Sequence, residues 1–388
     1  MKCFIRVGSL VALATVLSGC STFDKLNPFA SGDPKLKPAE LVSFTPTVEL
    51  RSAWQANIGG SGEYVFTPAV VGNSIYAAAH DGSLARFDDG RQVWRVGAGQ
   101  ALSGGVGSDG KLVVVGTPKG EVLAFDAATG NPSWKSRVSS EVLAAPAVGD
   151  GLVAVRSGDS RIFGFDSSDG KRRWVYQRST PALSLRSHAG LVLAGNALLA
   201  GFSGGKLVAV STLNGAALWE GAVALPKGST ELERVVDITS LPVIEGREVC
   251  AVAYQGRVAC FDMNSGNQLW ARDISSSTGL DMDAKSVYVS DDKGVLQAFD
   301  RNNGSSLWKQ DKLLKRGLSR PLVFGGPLGS YLAVADYQGI VHLLRRADGS
   351  FAARFAGDGS AVSADPQRVK DGLLVQTRNG GIYALTSN

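Results

Sequence analysis

Three histidines, a pair of closely spaced aspartates and two cysteines ten residues apart are the side chains here whose types could do chemistry. His80, His188 and His342 lie far apart in the chain, and no GxSxG, HExxH or CxxC segment accompanies them. Neither a nucleophile with its base nor a set of metal ligands can be read from them. Asp281 and Asp283, in LDMDAKS, could offer carboxylate oxygens to a hard cation such as calcium. A DxD in a loop is equally a pair of solvated turn residues, and that is the expectation here. Cys250 and Cys260, in CAVAYQGRVAC, have the spacing of two strands of one hairpin. A cross-strand disulfide would suit an oxidising compartment, whereas an even-length turn would place the two on opposite faces of the sheet. Buried free thiols are expected, with no catalytic residue, no metal and no cofactor.

The compartment is written at the start of the chain. Lys2 and Arg6 precede an apolar run from Val7 to Leu17, too short to span a hydrocarbon core of about 30 Å as a helix. It reads as an export signal over residues 1–19. LSGC, Leu17 to Cys20, resembles the bacterial lipobox, which implies that Cys20 carries acyl chains and that the protein is anchored by lipid. Ser21 follows where an Asp would favour the inner membrane, so the resemblance implies the outer membrane, with the body facing the periplasm. Residues 20–47, rich in Pro, Ser, Lys and Asp and without periodicity, are expected to be a flexible tether. The formal charge of +5 falls to +3 without Lys2 and Arg6, and no Lys/Arg stripe is visible, so nucleic acid is not an expected partner.

What would position any site is a repeated phrase. FDAATGNPSW, FDSSDGKRRW, FDMNSGNQLW and FDRNNGSSLW begin at Phe125, Phe165, Phe261 and Phe299. Counted from the glycine of the preceding turn, replaced by Ser160 in the second of them, Asp stands at +6, Gly at +10 and Trp at +14, as in Gly294, Asp300, Gly304 and Trp308. Looser copies end in Trp94 and Trp219, and a degenerate one puts Arg345 and Ala353 where Asp and Trp belong. From Trp54 through Trp94, Trp134, Trp174, Trp219, Trp270 and Trp308 the intervals are 40, 40, 40, 45, 51 and 38. Periods near 40, filled with short β-branched stretches punctuated by Gly and Asp, are those of propeller blades of four antiparallel strands. The phrase is then the outer hairpin. Asp and Gly make its turn, and the indole spaces neighbouring blades. The final copy runs out at Asn388 before its outer strand, while ELRSAWQANIG around Trp54 is such a strand without a blade. An all-β, eight-bladed propeller over residues 48–388 is predicted, closed by pairing the N-terminal strand with the C-terminal blade, which removes an exposed edge.

An eight-bladed ring of AFDxxxGxxxW phrases resembles the quinoprotein-type repeat family. With the lipobox it resembles the propeller lipoproteins of the outer-membrane β-barrel assembly machinery. That resemblance implies a non-catalytic scaffold that binds the periplasmic domains of the barrel subunit, BamA. Unfolded outer-membrane proteins are a second candidate partner. LSLR, Leu183 to Arg186, and ELERVVDI, Glu231 to Ile238, resemble family segments that contact the barrel subunit, which implies roles for Leu183, Leu185, Arg186 and Asp237. Thr239 stands where some members carry a second Asp. Both segments fall in connections from an outer strand to the next blade, within the long intervals of 45 and 51 residues, and should be neighbours on one face. The alternative is a pyrroloquinoline-quinone-dependent dehydrogenase. Those enzymes are much longer, and many have a vicinal cysteine pair that this chain lacks.

Overall fold

In each repeat the two middle strands are apolar on both faces and the last is apolar on one. Such a sheet must be covered on both sides at its centre and exposed at its rim. The computed structural model, which describes residues 37–326, 329–370 and 372–387, meets that demand with eight four-stranded antiparallel sheets around an axis. In blade 6 the strands are Gly279–Met282, Ser286–Ser290, Leu296–Asp300 and Ser306–Gln310. The second is buried throughout and the fourth is largely exposed. Blade 1 spans 69–97, and blades 2 to 7 span 104–137, 147–176, 191–222, 243–273, 279–310 and 322–356. Blade 2 gains a two-residue parallel strand, Val65–Phe66, on its inner edge. Blade 8 takes Gln367–Val369, Gly372–Gln376 and Gly381–Ser387 from the C-terminal end, and its outer strand is Leu50–Asn57, in register from Leu50↔Ser387 to Asn57↔Gly381. The closure expected from Trp54 is therefore the observed one.

The buried side chains form eight apolar clusters, each lying between two successive blades. At the rim seven of the eight interfaces are locked by the repeated phrase. Asp126 Oδ1 accepts from the amides of Ala128 and Thr129, and Asp300 Oδ1 does the same for Asn302 and Asn303. These bonds set the turn and hold the Asp126 carboxyl below the usual range, chiefly through the Thr129 hydroxyl and amide. The indole of the preceding blade then lies on the turn glycine: Trp94 on Gly130, Trp134 on Gly170, Trp270 on Gly304 and Trp308 on Gly349. Its N–H donates to the carbonyl of the residue after the Asp position, as in Trp134 to Ser167 (2.8 Å), Trp219 to Met263 (2.8 Å) and Trp308 to Arg346 (2.9 Å). The glycine thus does more than turn the chain, because it leaves the seat for the neighbouring ring. The degenerate phrase has the same explanation. Blade 8 is built from both chain termini and has no such turn to receive an indole from blade 7, and Ala353 instead packs with Val48 and Leu50.

Two expectations are corrected. Cys250 and Cys260 form a disulfide and face one another directly in the register of their hairpin, with Cα atoms 4.1 Å apart. The pairing Ala253 to Arg257 leaves a turn of odd length, Tyr254 to Gly256, so both sulfurs point to the same face, into the cluster between blades 5 and 6. The expected tether also ends earlier than residue 47. Ala39 and Thr47 hydrogen-bond with Leu314 and Ala352, Arg316 and Arg354 donate to the carbonyls of Ala39 and Val42, and Phe44 stacks on Phe351. Residues 39–47 are thus laid along blade 7. Cys20 and the signal lie outside the described residues.

The glycine seat can be separated from the glycine turn. A Cβ at Gly304 (φ +69°) would lie 2.4 Å from Trp270 Cε3, whereas one at Gly72 (φ +60°) would meet nothing within 4 Å. Gly72→Ala should cost only the left-handed conformation, about 1–2 kcal/mol. Gly304→Ala should cost a further ~1–3 kcal/mol of overpacking, visible as a lower urea midpoint. Equal costs would show that the indole does not need the glycine.

Candidate functional site: a loop cluster on one face of the ring

The connection from blade 3 to blade 4, residues 177–190, has no strand of its own and carries LSLR. Leu183 and Leu185 stay 49% and 38% exposed, two apolar side chains together on one loop. Three contacts hold the LSLR segment itself. The Leu185 amide donates to Asp237 Oδ2 at 2.6 Å. Arg186 makes a two-point ion pair with Glu141, at 2.9 and 2.8 Å, and its guanidinium stands over Tyr64, 5.6 Å from the ring centre. The arginine holds the Glu141 carboxyl below its ordinary range, and the pair raises the arginine.

The two segments singled out in the sequence are neighbours, as their places in the repeat required. The role of Asp237 needs correction. It is only 2% exposed, and its second oxygen accepts from the Gly204 amide at 3.2 Å. It also bridges in backbone fashion to Ser203 and Tyr254, on the central turns of blades 4 and 5. Asp237 is a fastener that fixes the LSLR backbone from behind, not a surface that a partner could touch.

Sequence reasoning missed two leucines. Leu225 and Leu232, in the connection from blade 4 to blade 5, are 62% and 71% exposed. Leu232 is presented by a single turn that Thr230 and Glu233 cap reciprocally: the Glu233 amide donates to Thr230 Oγ1, and the amides of Ser229 and Thr230 donate to Glu233 Oε2. The signal was present as TELE, the S/T-x-x-E pattern of a capping box.

Most of the groups considered for chemistry are otherwise engaged. Asp281 is buried, contrary to the solvated turn expected, and accepts from the amides of Met282 and Val323. Asp283 takes the amides of Lys285 and Ser286, the Tyr288 hydroxyl and Arg346. His342 is enclosed in blade 7, with Nε2 on Asp336 and Nδ1 accepting from Arg354, a neutral ring that burial keeps hard to protonate. His80, in blade 1, donates from Nδ1 to the Leu102 carbonyl, and His188 lies in the connection from blade 3 to blade 4 with its Nε2 buried and unpartnered. Among the described residues no three His, Cys, Asp or Glu side chains gather where they could hold a metal. The axial cavity, about 270 Å³, is lined largely by hydroxyls and small residues, with Arg320 ion-paired to Asp365.

The profile of a family described as "Outer membrane protein assembly factor BamB" matches residues 80–310 and 292–388. A protein of that description from Bordetella pertussis is 44% identical over 378 residues, covering 97% of each chain. The crystal structure of BamB from Moraxella catarrhalis superposes with a TM-score of 0.80 at 29% identity, over 87% of this chain and 100% of that one. The quinohemoprotein alcohol dehydrogenase of Comamonas testosteroni, at 14% identity and a TM-score of 0.68 over 87% of this chain and 76% of that one, shares the fold alone.

If Asp237 fastens the loop, Asp237→Ala strips two amides of their acceptor. The expected cost is about 1–3 kcal/mol, with faster hydrogen exchange at Leu185 and Gly204 and little change elsewhere. Unchanged exchange at Leu185 would mean the loop is held by Arg186 alone.

Proposed function

This chain belongs to the BamB family of outer-membrane protein assembly factors, and from that premise we propose that it is a periplasm-facing, lipid-anchored scaffold that docks on the barrel subunit of the assembly machinery, BamA. Its closely similar relatives are assembly factors, and its likeness to the dehydrogenases is one of fold; it is not an enzyme. The supporting observation is the LSLR loop, which exposes Leu183 and Leu185 beside Arg186 while Asp237 holds the Leu185 amide and Glu141 the Arg186 side chain. Rigid presentation matters because binding then costs little ordering of the loop. Two apolar side chains flanking an arginine have the composition of an interface hot spot. Leu225 and Leu232 extend the apolar surface onto the next connection. Residues 1–19 serve as the export signal and Cys20 as the lipid attachment site in this reading, and unfolded outer-membrane proteins are the second class of partner.

Leu185→Ala combined with Arg186→Ala should abolish co-purification with the barrel subunit, since losing a true hot spot costs ~2 kcal/mol or more, about thirtyfold in affinity. The melting temperature should stay near the parent's, because both side chains are at the surface. Asn302→Ala, in an outer turn on the opposite face, is the control. Undiminished co-purification of the double variant would move the interface elsewhere. Cys20→Ala should release a folded, soluble periplasmic form on fractionation. Its retention in membranes at high salt would require another anchor.

A further inference from the structure

Behind the LSLR loop lies a cavity of about 280 Å³ with Arg156 in its wall. Arg156 ends the second strand of blade 3 and reaches to blade 4 and the connection before it: Nη1 donates to the carbonyls of Gly201 (2.6 Å) and Ala189 (3.4 Å), and the guanidinium lies 5.0 Å from the Phe202 ring centre. Neither nearby carboxylate bonds to it. The oxygens of Asp237 are taken by the amides of Leu185 and Gly204, and those of Glu141 by Arg186. Its remaining N–H groups, on Nε and Nη2, make no hydrogen bond among the described residues. Desolvation lowers its pKa to about 10, so it is still a cation at neutral pH. Half-buried, with Asp237 acting on it through charge but no anion in contact, the guanidinium faces a cavity whose walls add the hydroxyls of Ser160 and Ser187.

We propose that this cavity receives an acidic side chain of the barrel subunit, with the fork of Arg156 as its counter-ion and the serine hydroxyls as further donors. The inference rests on the docking reading above and deepens it. Leu185 and Arg186 border the same cavity, so a residue entering it would do so from the surface already assigned to the partner. At roughly 30 Å³ per water, the space takes a carboxylate side chain with a few waters. A planar guanidinium with its Nε–Nη2 edge free suits a carboxylate geometrically as well as by charge. Tying blade 3 to blade 4, the other task Arg156 performs, uses Nη1 alone.

The test is the affinity of the full-length protein for the purified barrel subunit in detergent, measured across a range of salt. Arg156→Gln should bind at least tenfold more weakly and with a shallower salt dependence, and Arg156→Lys, a point charge without the fork, should fall between. Ser187→Glu places a carboxylate of the chain's own beside Arg156. It should weaken binding to a similar degree while leaving the melting temperature at or above the parent's, and it decides the matter if Arg156→Gln fails to fold. Parental affinity and salt dependence in both Arg156→Gln and Ser187→Glu would overturn the inference while the docking surface stood. Absence of binding by the parent would overturn the docking reading itself.

Discussion

The structure depends on one contact made again and again at the rim: an indole from one blade seated on the turn glycine of the next, with its N–H on the carbonyl beside that glycine's Asp position. Eight separate apolar clusters could slide or open as a fan if only their area held them. A seat with no room for a Cβ, at seven of the eight steps, and a directional hydrogen bond, at six of them, fix both the spacing and the angle. Once fixed, the ring closes with the N-terminal strand as the last piece, and no sheet edge is left inside it.

A ring held in this way lets its connections be elaborated without disturbing the blades, and the two connections around blade 4 are where this chain has spent its extra length. Leucines there stand in water because the loop backbone, not the side chains, is satisfied by the fold. Asp237 spends both oxygens on amides of two different segments, so the position of LSLR is set by the scaffold before any partner arrives. Arg156 sits one layer deeper, held by carbonyls and an aromatic face.

Periodicity was legible in the sequence because Trp, Gly and Asp each have a geometric duty that recurs once per blade. Blade count, closure through Trp54 and the adjacency of the two loops follow from counting residues. What was not legible depended on parity, on depth, or on contacts between distant segments. The cysteine pairing turned on whether one turn held an odd number of residues, and Gln255 at positive φ beside Gly256 gave no advance notice of it. Asp237 reads as a surface acid until three segments are seen converging on it. Residues 39–47 have tether composition, yet Arg316 and Arg354 capture their carbonyls. A single arginine at the end of a strand, such as Arg156, looks like any solvated charge.

The most direct test of a pre-set docking face is photo-cross-linking in intact outer membranes from an unnatural amino acid at position 183, with position 302 on the opposite face for comparison. The result expected is a single major adduct with the barrel subunit from 183 and none from 302. Adducts from 302 and none from 183, or adducts from neither with the ring intact, would contradict the assignment of that face.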